Sequence, residues 1–282
     1  MQIDELKQWI GASETREDQV TLAPIAALAA TLDRNDSPPK PGDALPPCWH
    51  WLYFLPVDPL ATVGADGHPK RGGFLPPVPL PRRMWGGSRL ALMHPLQAGS
   101  AVTRTSRIAN ISAKQGRTGP LVFVRVQHHI SDARGLAIVE DHDIVYREMP
   151  RADEASPPTQ PARTDEQFSR RITPDPVLLF RYSALTFNGH RIHYDRPYAT
   201  HEEAYPGLVV HGPLIATLLL DQLRRAHPSA QVKIFEFKAI SPLFDTAPFD
   251  ICGRLDGDLA TLWARGSQGQ LAMQATATLA GN

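Results

Sequence analysis

The sequence predicts an α+β fold in which one unit, a helix with an antiparallel sheet, is built twice along a single chain. Three observations carry that reading. A helix-patterned stretch near the N-terminus precedes strand patterns separated by glycine turns; a polar, proline-rich segment interrupts the chain near its middle; and helix and strands then recur in the same order. Sequence identity between the halves is low, so the duplication is inferred from element order. The boundaries follow as residues 1–148 for the first unit, 149–172 for a linker and 173–282 for the second.

In the first unit, residues 18–32 read as a helix. Leu22, Ile25, Ala26, Leu28, Ala29 and Leu32 recur at three- and four-residue steps and make one apolar face. Residues 48–55 are aromatic-rich and short, and read as a strand. Between 72 and 87 prolines and glycines are dense enough to exclude helix. An ordered loop is expected there, with Phe74, Trp85 and the arginines Arg82 and Arg83, either shaping a binding tunnel or connecting elements over the surface. Strand patterns then cover 89–93, 101–114, 121–130 and 136–147, with a hairpin loop at 115–119. Residues 149–164 hold Pro150, Pro157, Pro158 and Pro161 among Ala, Asp, Glu and Ser, the composition of a linker.

In the second unit, 177–185 reads as a strand or extended lead-in and 196–205 as a short helix. Residues 212–226 form the strongest helix pattern, with Pro213 in the first turn. Leu214, Ile215, Leu218, Leu219, Leu220 and Leu223 leave it few polar positions, so it should be buried on most sides. Strands at 232–237, 251–255, 259–265 and 271–279 follow, with turns at 256–257 and 266–269.

The bulk numbers exclude several classes of function. The 29 basic and 29 acidic side chains balance, so no field draws nucleic acid or an anionic membrane. Apolar runs such as 218–220 are far shorter than the roughly 20 residues a membrane span requires. The acidic N-terminus lacks a signal pattern. Cys48 and Cys252 are far apart and give neither metal spacing nor a disulfide framework. A cytoplasmic protein with reduced thiols is expected.

The chemistry concentrates in Phe187-Asn188-Gly189-His190-Arg191-Ile192-His193-Tyr194-Asp195 and in Leu208-Val209-Val210-His211-Gly212-Pro213-Leu214. The first puts titratable groups in a turn; the second offers backbone N–H groups at a helix start. Asn188-x-His190-Arg191-Ile192-His193 resembles the type 2 enoyl-CoA hydratase motif, Asp-x-Asn-Pro-Leu-His, and Val210-His211-Gly212-Pro213-Leu214 resembles that family's helix start. The strings 180–188 and 73–85 are similar to one branch of these MaoC-like proteins, the mesaconyl-C4-CoA hydratases and type 2 hydroxyacyl-thioester dehydratases. The resemblance implies two hot-dog units, each a long central helix wrapped by an antiparallel sheet, with a substrate tunnel in the first and catalysis in the second.

It also implies a reaction: reversible hydration of a 2-enoyl-CoA, a mesaconyl-type C4 thioester first, without a cofactor. An (R)-3-hydroxyacyl-thioester dehydratase, or a hot-dog protein that only binds or hydrolyses an acyl thioester, are the alternatives. His193 is then the general acid/base and the Gly212 N–H an oxyanion donor. Asn188 stands where the family has aspartate. An amide orients water but accepts no proton, so Asn188 is expected to position while Asp195 is held as a reserve carboxylate. Arg191, Arg82, Arg83 and Arg181 are candidates for a substrate carboxylate, and Trp85 and His211 for further substrate contacts. His190-x-x-His193 lacks a completing ligand set at recognisable spacing, so no metal is expected. His128 and His129, adjacent on a strand, should face opposite ways. The expected partner is an acyl-CoA thioester, and both a monomer and a homodimer are sterically reasonable.

Overall fold

One continuous antiparallel sheet runs through the computed structural model, which describes residues 3–116, 119–149 and 159–281. In chain order, a short helix α1 (Ile3–Lys7) is followed by β1 (Ser13–Gln19), α2 (Leu22–Thr31), β2 (Arg82–Leu92), β3 (Ala101–Gly116), β4 (Gly119–Asp132) and β5 (Gly135–Arg147). The second half comprises β6 (Phe168–Ile172), α3 (Pro176–Leu185), α4 (Gly212–Ala226), β7 (Val232–Ala239), β8 (Phe249–Asp256), β9 (Leu259–Gly266) and β10 (Leu271–Leu279). The spatial order is β1-β3-β4-β5-β2-β7-β10-β9-β8-β6. The halves meet where β2 pairs with β7, from Gly87 opposite Lys238 to Ala91 opposite Ile234.

The two halves use their helices differently. Every residue of α4 from Leu214 to Leu223 is buried, and the helix lies against β6, β8, β9 and β10. α2 has 10 residues against 15 in α4 and packs on α3 and on the turn at Trp49–Leu52. The inner face of β3–β5 is therefore not filled by a long helix, and a cavity opens over it. A separate apolar layer of Val78, Leu80, Ile108, Val122, Val124 and Tyr146 covers other positions on these strands.

The long helix carries a buried charge. Asp221 on α4 accepts from Arg34 at 2.6 Å, Arg170 at 2.8 Å and Arg225 at 2.8 Å, which ties the segment after α2, β6 and α4 together. Three guanidinium partners satisfy a carboxylate that burial alone would penalise. Among the described residues, no helix is long and apolar enough to cross a membrane.

Several expected elements differ. Residues 177–185 form helix α3: Asp175 accepts from the Leu178 N–H at 2.8 Å, and Pro176 occupies the first turn, so the cap outweighs the strand-like run. Residues 48–55 form no strand: Trp49–Leu52 is a 3₁₀ turn, Cys48 before it sits at φ +69°, and Trp49, His50, Leu52, Tyr53 and Phe54 are all buried rather than alternating. The loop expected up to residue 87 ends at Pro81. Arg82, Arg83 and Trp85 stand on β2, between β5 and β7. The helix expected over 18–32 begins at Leu22 as α2, and residues 18 and 19 belong to β1. Residues 168–172, inside the stretch expected to be linker, pair with β8 as β6. The remainder of the linker expectation falls largely on 150–158, and the tip of the 115–119 hairpin on 117–118, outside the described residues.

Candidate active site

After α3 the chain turns through Phe187 at φ +49°, and Asn188 Oδ1 accepts the His190 N–H at 3.0 Å. That bond shapes the turn leading into a single 3₁₀ turn, Arg191–His193. The next contact fixes the site. The Val209 N–H donates to the Ile192 carbonyl at 3.0 Å, while His193 Nδ1 donates to the Val209 carbonyl at 2.7 Å. Because a carbonyl only accepts, Nδ1 carries the hydrogen and Nε2 keeps its lone pair. Val209 and Val210 lead directly to His211 and to Gly212, the first residue of α4. His193 and the Gly212 N-terminus consequently border one cavity, of about 1740 Å³. A Cβ added at Gly212 would meet nothing within 4 Å, so open space lies in front of it.

Burial keeps the His193 ring neutral. Loss of solvent pushes its pKa down to about 4, partly opposed by the Val209 hydrogen bond. Behind it lies His211, its ring stacked on His193 with centroids 3.7 Å apart and planes 18° from parallel. His211 Nε2 meets Ser183 Oγ at 2.8 Å. His211 is fully buried and does not border the cavity, so it backs the His193 ring and does not make the substrate contact expected of it.

Other expected site residues separate into engaged and available. Asp195 does not line the cavity; it accepts from Arg191 at 2.9 Å and from the Tyr198 N–H at 3.2 Å. Its reserve role as a base is lost to that pairing. Arg191 also lies over the Tyr198 ring, 4.1 Å from its centroid, and donates to the Ala65 carbonyl at 3.0 Å. Arg82 pairs with Glu203 at 2.9 Å and covers Tyr205. Arg181 is exposed and outside the cavity wall. Arg83 lines the cavity and, among the described residues, forms no ion pair. It acts electrostatically on His68, His190 and His142, lowering the proton affinity of each. Trp85 stacks on His142 at 4.0 Å and donates to Ser88 Oγ at 2.9 Å.

Two groups that the sequence reading did not assign also line this cavity. The first is buried Glu140, which accepts from His50 at 3.1 Å, Trp51 at 3.1 Å and Ser88 at 3.0 Å, with His128 and His142 beside it. His128 turns inward to Ser106 at 2.8 Å while His129 is exposed, so the pair does face opposite ways. The second is Asp66 and His68, on a segment preceding β2 that packs on the His190 turn. Asp66, His68 and His190 are, among the described residues, the group whose donor atoms come close enough to hold a metal ion, all within 4.8 Å of one another. Neither group has a spacing signal, since each is completed by residues from distant parts of the chain.

Known proteins resemble this chain in sequence and fold. The family model for hydroxyacyl-thioester dehydratase type 2 matches residues 48–245. A mesaconyl-C(4)-CoA hydratase of Chloroflexus aurantiacus is 50% identical over 273 residues, covering 97% of each chain. A mitochondrial hydroxyacyl-thioester dehydratase type 2 of Schizosaccharomyces pombe is 30% identical, covering 89% of this chain and 93% of that one. The crystal structure of a MaoC-like dehydratase from Phytophthora capsici superposes with a TM-score of 0.71 at 14% identity, over 100% of this chain and 99% of its own. A buried helix tip, a histidine turn and two sheet units joined edge to edge thus come together with a match across most of the sequence: the chain belongs to the hydroxyacyl-thioester dehydratase type 2 family and has a double hot-dog fold.

Proposed function

We propose that the protein adds water reversibly across the double bond of a 2-enoyl-CoA thioester, with mesaconyl-C4-CoA (3-methylfumaryl-CoA) as substrate and a citramalyl-CoA as product. The observation that carries this reading is the placement of His193, with Nε2 free, and the Gly212 N–H on one cavity. The relative at 50% identity, named for the same reaction, supports the choice of substrate.

Each step has a group to perform it. The water oxygen bonds to Cβ, one water proton passes to His193 Nε2, and the double-bond electrons move onto the thioester oxygen. The Gly212 N–H, at the positive end of α4, stabilises that oxygen. The carbonyl re-forms as Cα takes the proton from Nε2, and His193 ends neutral. Asn188 contributes no proton, because its Oδ1 is engaged with the His190 N–H and an amide is not a base at neutral pH.

The substrate's free carboxylate is bonded to Cβ, so its partner must stand near His193. Arg83 fits best: it lines the cavity, lacks a carboxylate partner among the described residues, and acts on His68 and His190. Arg82 and Arg191 are held by Glu203 and Asp195. Buried, unpaired Cys48 and Cys252 suit a reducing compartment, and the cytoplasm is the proposed location.

The test is loss of enoyl-thioester ultraviolet absorbance on adding the protein, without release of free thiol. A panel of mesaconyl-C4-CoA, crotonyl-CoA and a long enoyl-CoA ranks the acyl group. Thiol release in step with the absorbance change would identify a thioesterase instead.

A further inference from the structure

Asn188 leaves the turn without the carboxylate of the family pattern, and the first half of the chain brings one to the same place. The contact is made by backbone. Gly67 has φ +88°, and a Cβ on it would lie 1.8 Å from the Gly189 carbonyl oxygen; a Cβ on Gly189 would lie 2.7 Å from the Gly67 carbonyl oxygen. No side chain fits at either position, so the two glycines are required face to face. The Arg191 N–H donates to the Asp66 carbonyl at 2.9 Å and the Arg191 guanidinium to the Ala65 carbonyl at 3.0 Å, which closes the joint.

What the joint delivers is a carboxylate–imidazole pair. His68 Nδ1 meets Asp66 Oδ2 at 3.2 Å, and the His68 backbone N–H donates to Asp66 Oδ1 at 3.0 Å. These bonds hold the Asp66 carboxyl below its usual range, against the opposing effect of burial. An ionised carboxylate only accepts, so His68 Nδ1 carries the hydrogen and Nε2 the lone pair. The His68 ring lies against that of His190 with centroids 4.0 Å apart, and His190 stands edge-on to His193 at 5.4 Å. All four residues border the cavity. Two groups hydrogen-bonded to one water oxygen, each at about 2.8 Å, sit about 4.6 Å apart. The candidate ligand atoms of Asp66, His68 and His190 all lie within 4.8 Å of one another, close enough for one water oxygen to bridge two of them.

We propose that His68 and His190 are catalytic residues that hold the attacking water beside His193, and that Asp66 is a positioning residue that fixes His68 with Nε2 as the acceptor. The proposal rests on the hydratase reading. One hydrogen of the water goes to His193 Nε2 as the oxygen bonds to Cβ. The other stays on the oxygen, is accepted in a hydrogen bond by His68 Nε2, and becomes the product hydroxyl hydrogen. Nothing is gained or lost at His68, so the pair acts by aiming an oxygen lone pair at Cβ. The charged groups that face His68 are Asp66, Arg71 and Arg83; His190 faces His68, His193, Asp66 and Arg83.

Asp66→Asn and His68→Gln in the full chain test this with mesaconyl-C4-CoA. His68→Gln is expected to lower kcat about 10²-fold, the usual scale for a misplaced reactant, with KM within about threefold and an unchanged melting temperature. Asp66→Asn is expected to lower kcat less and to alter the acid limb of the kcat–pH profile, which a purely structural role would leave in place. Retention of kcat and pH profile in both variants would overturn the proposal. So would loss of wild-type activity to a chelator with recovery on adding zinc, which would make the trio a metal site. A second readout needs no substrate: ¹⁵N histidine spectra should show His68, assigned by its absence in His68→Gln, as the Nδ1–H tautomer in the wild type and not in Asp66→Asn. An Nε2–H tautomer overturns the positioning role. A wild type that hydrates no enoyl-CoA while showing the Nδ1–H tautomer would instead refute the hydratase reading, and the catalytic role with it.

Discussion

His193 Nδ1 donates to the Val209 carbonyl oxygen at 2.7 Å, and this one bond decides which ring nitrogen is free to act. It leaves Nε2 as an acceptor, on a turn tied to the segment that leads to the helix tip at Gly212, the proposed oxyanion donor. A base held in this way should be indispensable. His193→Ala is expected to lower kcat about 10³-fold, within the range for general acid–base groups, as read from enoyl absorbance.

The pH dependence follows from the same residue. With a folded pKa of about 4, His193 is neutral through the whole neutral range and is switched off only as pH falls through that value. The kcat/KM profile should therefore be flat from about pH 6 to 8, with its acid limb near 4 rather than near the ordinary histidine value of about 6.5. Stability moves the same way. Between about 6.5 and 4 the unfolded chain binds the proton and the folded chain does not, so melting temperature should fall as pH is lowered through that window.

Gly212→Ala separates folding from function. No atom lies within 4 Å of the added methyl, so the fold is expected to keep its melting temperature. The methyl would occupy the space where the thioester oxygen approaches, and kcat should fall at least about tenfold for loss of a well-aimed donor. Unchanged turnover would exclude the Gly212 N–H from the reaction.

Arg83→Gln should act on selectivity. Loss of a charged hydrogen bond, worth about 1.5–3 kcal/mol, is expected to lower kcat/KM for mesaconyl-C4-CoA by roughly 10- to 100-fold. Crotonyl-CoA, which has no carboxylate, should be hydrated as before. Equal losses on both substrates would place the carboxylate partner elsewhere.

Asp221→Ala should act on stability. It leaves Arg34, Arg170 and Arg225 without their shared carboxylate inside the fold, and removing one side of a buried charge network costs about 3–5 kcal/mol. Chemical denaturation reads the loss directly. Turnover of the molecules that remain folded should be retained, because Asp221 does not border the cavity.

Much of this was legible in the sequence, for a physical reason: local signals were read well where local forces decide. Residues 212–226 were read as a helix from their apolar density and Pro213, and α4 occupies that range. Four strands of the second half, β7 to β10, were placed to within a few residues, while β6 was hidden in the stretch expected to be linker. α3 was misread although Asp175-Pro176 was present as a cap, since the run Val177-Leu178-Leu179-Phe180 resembles a buried strand. His193 and Gly212 were recognisable as motif residues, and the structure brings them to one cavity. Asp66 and His68 were not, because their nearness to His190 depends on a backbone contact between residues more than a hundred positions apart. The engagement of Arg82 by Glu203 and of Arg191 by Asp195 is likewise tertiary, so no reading of spacing could have ranked the arginines.

The unequal helices have a consequence for stoichiometry. An architecture written twice invites the expectation of two reaction centres, yet the shorter α2 has yielded the volume over its own sheet to the chamber that α4 overlooks. A tight-binding enoyl-thioester analogue should saturate the protein at a single equivalent per polypeptide.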